Sequence, residues 1–344
     1  MRDSEHRPQE GAIEAFWAWW PTVAQVIARS FRDKGLGQEL IHAIAEHVAA
    51  IDDRLDWEFG PGVKSEHHFC LSGKGDPALR VVAERWLRGA PKGDPTWEFY
   101  ASRQGNPRGG MKLEINGFAL ELDQVAFVLE EDEGRERLHV KVFHPLFSKI
   151  NDEQLAMRIA FIALDNTLGE DDVERWIGAI ELGEGVAVAP VMLSALRERV
   201  RAFASKATGE RWTLLEGSID GAPIFVLVNT AIKRVDHLLL DMHVEVVIPL
   251  AEPTEEGLTI SKEADVLNAM QDELDALLGD EAIHVARETT RGKRILHYHV
   301  MEGGPAAALF ERWRSRYDGR DGHAYAIEVL FSNDPQWDVL RRWM

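Results

Sequence analysis

Leu238-Leu239-Leu240-Asp241-Met242-His243-Val244-Glu245-Val246-Val247-Ile248 is the stretch on which the fold of this chain turns. Its even positions, from Leu238 to Ile248, are all apolar, while Asp241, His243 and Glu245 fall between them. A two-residue period marks a strand with one face buried. Outward from this strand the pattern runs strand–helix–strand–strand–helix–strand to Phe331. The spacing predicts a helix from about Ser261 to Leu278, with Val266, Leu267, Met270, Leu274 and Leu277 on its apolar stripe. Ser261 stands at the N-cap, Glu263 and Asp265 favour the positive end of the dipole, and Gly279 lies just past the other end. A hairpin follows, Ala282 to Glu288 and Lys293 to Met301, turning at Arg291-Gly292. The second helix begins near Pro305 and buries Ala308, Leu309 and Trp313. Asp318-Gly319 and Asp321-Gly322 then turn the chain into a last strand, where Tyr325, Ile327, Val329 and Phe331 alternate inward.

A split βαββαβ unit predicts a ferredoxin-like sandwich, an antiparallel sheet with both helices on one face and the first and third strands central. A leading hairpin, Trp212 to Gly217 and Pro223 to Ala231 around Asp220-Gly221, either extends that sheet or covers its open face.

Upstream the chain reads as a second α+β unit, a mixed sheet with packed helices. After a short disordered start, one helix carries Ile13, Phe16, Trp17 and Trp20, then Val23, Ile27 and Phe31 beyond Pro21, which kinks it or begins a new helix. Another runs from about Leu36 to Leu55. Strands are expected at Asp56–Phe59, His67–Leu71, Trp97–Ser102, Lys112–Leu122, Gln124–Glu131, Arg137–Phe143 and Trp176–Leu182, with helices at Pro77–Leu87, Asp152–Leu168 and Pro190–Phe203. The apolar pattern breaks between Ser205 and Glu210. Two domains are therefore expected, residues 1–205 and 206–344.

Composition narrows the function classes. Hydrophobic content of 45% and eleven tryptophans imply a chain folded throughout. A net charge of −19 repels phosphate backbones, so nucleic acid is not an expected partner, and a basic protein partner is permitted. The lone Cys70 excludes an internal disulfide framework and fits a reducing compartment. Neither a membrane span nor a signal core is visible, which points to a cytoplasmic protein.

The candidate binding face lies on the C-terminal sheet. If the first and third strands are neighbours, Asp241, His243 and Glu245 lie beside His297 and His299, with Glu328 on the fourth strand bordering them. Imidazoles and carboxylates in that pattern suit a first-row divalent ion. They equally suit a solvated or interdomain face where histidines merely pack. Ala286, Ile295, Ala324 and Ala326 share the face, and such small apolar neighbours imply that another domain, subunit or partner covers it.

Elsewhere the plainer readings prevail. Ser72-Gly73-Lys74-Gly75-Asp76-Pro77 lacks a phosphate-loop signature and reads as a turn into an Asp-capped helix with Pro at its first position. Asp165, Glu170, Asp171 and Asp172 can hold a cation, or Gly169 ends one helix and the acids start the next. Cys70 sits in an apolar strand, there is no Gly-x-Ser-x-Gly elbow, and the tryptophans at 17, 19 and 20 read mainly as core. Thr289-Thr290-Arg291-Gly292-Lys293-Arg294 is a basic hairpin tip, open to an anionic group or merely solvated.

Pro223-Ile224-Phe225-Val226-Leu227-Val228-Asn229, Thr290-x-Gly292-x-Arg294 before Tyr298, and Asn333-Asp334-Pro335-Gln336-Trp337 resemble the bacterial domain-of-unknown-function 695 family. Phe16-Trp17-Ala18-Trp19-Trp20, Leu71-Ser72-Gly73-x-Gly75, Ala90-Pro91 before Trp97-Glu98-Phe99, and Leu168-Gly169-Glu170 before Trp176-Ile177 resemble the region accompanying it in uncharacterised bacterial proteins. The resemblance implies no known activity, substrate or cofactor. Domains of that family also accompany relatives of the protein inhibitor of ribonuclease E, so it implies an adaptor or inhibitor role by association alone.

The leading expectation is thus a non-enzymatic cytoplasmic binding or regulatory protein that acts through a protein partner, without a cofactor. One alternative is a metal-dependent hydrolase with His243, His297 and His299 as ligands and Glu245 as general base. Another is an intracellular inhibitor or immunity-type protein whose acidic charge suits a basic target.

Overall fold

The structure, a computed structural model, describes residues 3–33, 35–106, 111–115, 117–317 and 325–344. It is a mixed α+β chain dividing into two compact units. The first comprises Met1–Leu129 and Val140–Arg199, the second Glu130–His139 and Val200–Met344. This differs from a single cut at 205/206, because a ten-residue piece from far upstream clusters with the C-terminal unit.

In the first unit, α1 (Asp3–Asp33) and α2 (Gln38–Ile51) precede β1 (Asp56–Pro61), β2 (His67–Ser72), α3 (Pro77–Arg88) and β3 (Trp97–Tyr100). The three strands form a sheet in the order β1-β2-β3, antiparallel then parallel. Among the described residues helix α1 runs from Asp3, and it passes through Pro21 without ending. Ile13, Phe16, Trp20 and Ile27 are all buried in one core with Phe69 and Trp86, and this packing overrides the local cost of proline. Trp17 stacks on Trp86 at 4.7 Å and Trp19 on His47 at 3.9 Å, so the tryptophan cluster is structural.

Next come β4 (Lys112–Ile115), β5 (Phe118–Glu121), β6 (Ala126–Asp132), β7 (Arg137–Phe143), α4 (Glu153–Leu168), α5 (Glu170–Trp176), β8 (Ile177–Leu182), β9 (Val191–Met192) and α6 (Leu193–Ala204). Two expectations fail here. The strand expected over Lys112–Leu122 is a hairpin, β4 against β5, with Gly117 at φ +80° in its turn. Trp176 ends α5 and does not open a strand. Gly169 joins α4 to α5 at φ +89°, where a Cβ would come within 2.8 Å of the Gly105 nitrogen, so only glycine fits.

The second unit holds β10 (Trp212–Ile219), β11 (Ala222–Asn229), β12 (Met242–Pro249), α7 (Ser261–Leu278), β13 (Ala282–Thr290), β14 (Lys293–Val300), α8 (Ala306–Tyr317), β15 (Glu328–Asn333) and α9 (Asp338–Arg341). One six-stranded sheet runs in the order β10-β11-β13-β14-β12-β15, with every neighbouring pair antiparallel. The leading hairpin therefore extends the sheet. Both tight turns have two consecutive positive-φ residues, Asp220-Gly221 and Arg291-Gly292, the geometry that suits the twist of paired strands. On one sheet face, Val244, Val246, Ile248, Leu296, Tyr298 and Val300 pack against Leu267, Met270 and Leu274 of α7 and Phe310 and Trp313 of α8.

Four details correct the sequence reading. Strand β12 begins at Met242, because Arg234–His237 is a 3-10 turn and the leucines that follow lie outside the ladder. Ser261 is the first helical residue and caps nothing; Ile260 takes the N-cap position. Val266 and Ala308 are exposed, since α7 buries Leu267, Met270, Leu274 and Leu278 and α8 buries Ala306, Phe310 and Trp313. Tyr325 and Ile327 are buried but precede the ladder, and Phe331 is 43% exposed. The turns at Asp318-Gly319 and Asp321-Gly322, and Ala324, lie outside the described residues.

Candidate functional site

The site is made by register. In the β12–β14 ladder His243 pairs with His299 and Glu245 with His297, so four alternating side chains emerge on one face. Across the diagonal, His243 Nε2 lies 3.0 Å from His297 Nδ1. The two rings are parallel to within 12°, with centroids 5.3 Å apart. One nitrogen from each, and a carboxylate oxygen of Glu245, lie within 4.8 Å of one another. Behind His297, Glu288 of β13 places Oε1 4.0 Å from Nε2. Behind His243, the Ser332 hydroxyl of β15 lies 3.5 Å from Nδ1.

This face is not open. His243, His297 and His299 are at most 1% exposed, because the C-terminal segment of the chain folds back over them. Trp337 stacks on His299 at 4.2 Å and donates its indole N–H to the Leu240 carbonyl at 2.9 Å. Trp343 meets His297 edge-on at 5.0 Å, and Leu340 and Ile232 fill the surrounding apolar space. Within this unit the cover is the segment from Trp337 to Trp343.

Two candidates leave the group. Asp241 is buried but precedes the strand; its carboxylate accepts from the Glu302 amide and its carbonyl from the Asp334 amide. Glu328 stands opposite Val247, exposed and further along the sheet. His299 stays beside His243, with ring centroids 5.5 Å apart, yet does not converge with the ligand set. Glu288 takes part instead, and the sequence held the signal. With a two-residue turn at Arg291-Gly292, Ala286 must face His297 and Glu288 must face Ile295.

Electrostatics follow from burial. Burial, then the Arg342 guanidinium, pushes His243 down to about 4. Burial pushes His297 further below the usual imidazole range, and the His243 and Arg342 charges add to it. Glu288 moves up, chiefly by burial, with the Glu245 carboxylate adding and Arg342 opposing. At neutral pH both imidazoles are uncharged, so their lone pairs can bind a proton donor or a divalent ion.

The other candidates are structurally satisfied. The Asp76 carboxylate accepts from the Ala78 and Leu79 amides at 2.9 and 3.3 Å, capping α3. Ser72 donates to Glu170, Asp171 meets Arg80 at 2.5 Å, and Asp172 meets Arg175 at 3.0 Å. Burial pushes the Cys70 thiol far up, leaving it inert. At the basic tip, Arg291 is held by Asp220 at 2.7 Å and Arg294 by Asn268 at 2.9 Å.

Residues 210–343 match the model of a family of unknown function, DUF695, which bears out the C-terminal resemblance. The match spans the whole six-stranded sheet, both its helices and nearly all of the covering turn, and leaves the N-terminal part uncovered. No curated protein matches the chain. No helix among the described residues is long and apolar enough to cross a membrane.

Proposed function

We propose that this is a non-enzymatic binding protein that engages a protein partner along the outer edge of β15. In this reading β12–α7–β13–β14–α8–β15 is a ferredoxin-like scaffold, and residues 1–205, apart from the Glu130–His139 hairpin tip, form a separate domain in the same cytoplasmic protein. The observation that carries it is the state of the edge strand. Among the described residues β15 pairs with β12 alone, and nearly every residue from Glu328 to Asn333 is exposed. Leu330, at 50% exposure, and Phe331, at 43%, project to opposite faces of the sheet. Neither lysine nor proline interrupts the strand, although these are the usual protections of a free edge. Such an edge suits strand addition by a partner, with main-chain bonds giving affinity and apolar side chains giving register.

The hydrolase reading loses support from the same geometry. It needs three histidine ligands and a separate base, but Glu245 converges in place of His299. The base is then consumed as a ligand.

Affinity purification with wild-type chain and with Leu330→Lys/Phe331→Lys as baits tests the proposal. A partner retained by the wild type and lost from the edge-lysine variant, at unchanged circular dichroism, is the expected outcome. A partner held equally by both rejects the β15 edge.

A further inference from the structure

We propose that the C-terminal unit carries a site for one divalent transition-metal ion, typified by Zn²⁺, with His243 Nε2, His297 Nδ1 and a Glu245 carboxylate oxygen as protein ligands. Three observations carry it, and none depends on the exposed Leu330 and Phe331 side chains of β15. The first is convergence. Bonds of about 2.0–2.1 Å in a tetrahedral site separate ligand atoms by roughly 3.3–3.5 Å. The facing imidazole nitrogens, 3.0 Å apart, need only a few tenths of an ångström of expansion to admit an ion.

The second is what stands behind each ring. Histidines that bind a metal almost always direct their other nitrogen at an oxygen, which fixes the tautomer and ring orientation. Here the rear nitrogen of His243 faces the Ser332 hydroxyl at 3.5 Å and that of His297 faces Glu288 at 4.0 Å. In the present geometry His297 Nε2 is fully buried and has no hydrogen-bond partner. Moving His297 Nδ1 onto an ion fixes the proton on Nε2, where Glu288 can accept it. The orphaned atom thereby acquires a role.

The third is charge. Glu245 and Glu288 bring two carboxylates to this corner, and Arg342 acts on both histidines as the neighbouring cation. Arg342 is on the surface and packs over the Trp343 ring at 5.2 Å, so it can move aside. Glu245 is the one half-exposed ligand, which places the solvent-bound fourth position on its side. Since His243 and Glu245 come from β12 and His297 from β14, the ion ties these two neighbouring strands together.

The full chain, expressed without a histidine tag and stripped with chelator, is titrated with Co²⁺. One equivalent, with the visible absorption of a four-coordinate site and displaced by Zn²⁺, is expected. Glu245→Gln changes only a half-exposed group, so the variant should fold; it is expected to weaken binding at least tenfold. Glu288→Gln is expected to weaken it 10–100-fold through His297. Arg342→Ala should tighten it several-fold, an outcome that a purely structural arginine would not give. Less than a trace of bound Co²⁺, or an affinity unchanged in Glu245→Gln, overturns the proposal, since binding would then be absent or reside among the other histidines.

Discussion

Asp165 is a carboxyl in the wrong surroundings. Burial, and then the Glu170 carboxylate, push it up to about 6 from an ordinary 3.8, against the pull of Arg103 and Arg80. Between those two values the folded chain holds a proton that the unfolded chain has released. Stability from this group is therefore present at pH 4, falls as pH rises through the window, and is lost above about 6. A shift of about two units corresponds to roughly 3 kcal/mol. Asp165→Asn should accordingly raise the urea midpoint of the first unit at pH 7.5 while leaving it nearly unchanged at pH 4. An equal effect at both pH values would show that the carboxyl ionises as it does in water. The sequence shows Asp165 in an acidic cluster with Glu170, Asp171 and Asp172, but its desolvation depends on what packs around α4.

At the scale of elements, local chemistry was legible and long-range cover was not. The two Gly-containing hairpin turns, the βαββαβ order and the pairing of His243 with the β14 histidines all follow from alternation and turn residues. What misled was Leu238–Leu240, where three consecutive leucines satisfied the strand period but serve the 3-10 turn and its contact with Trp337. The covering turn itself carries no periodic signal, because one aromatic side chain anchors it. Trp337 adopts φ 57°, ψ 42°, an uncommon conformation for a bulky residue, and the Asp334 carboxylate secures the turn by accepting from the Asp338 and Val339 amides. Trp337→Ala removes a buried ring, its stack on His299 and its hydrogen bond, and should cost about 3–5 kcal/mol. The same change should open the histidine face, so that diethyl pyrocarbonate modifies His299 quickly where the wild type reacts slowly. If the reaction rate stays that of the wild type, some other element is what shields those imidazoles.

For the whole molecule, the sequence break at Ser205–Glu210 marks a change in local pattern but cannot say which distant segment packs with which core. Glu130–His139, the tip of the β6–β7 hairpin, belongs to the second unit through specific polar contacts. The Lys233 ammonium, 4% exposed, donates to the carbonyls of Arg135 at 2.7 Å and Glu136 at 3.0 Å. Thr230 donates to the Gly134 carbonyl at 2.7 Å, while the Glu136 carboxylate accepts from the Thr208 and Gly209 amides at 2.8 and 2.9 Å. Burial depresses Lys233 to about 8, with Arg137 adding and the Glu136, Asp236 and Asp132 carboxylates opposing. A fragment of residues 206–344 keeps the six-stranded sheet and loses every one of these partners. Each hydrogen bond to a charged group is worth about 1.5–3 kcal/mol. The two at Lys233 alone predict a fragment about 3–6 kcal/mol less stable than the same unit in the full chain. Urea denaturation followed by tryptophan fluorescence measures the difference, and a synthetic peptide of residues 128–141 added in trans should recover part of it. Coincident midpoints for fragment and full chain would mean that the hairpin tip contributes nothing, and that residues 206–344 are a self-sufficient domain.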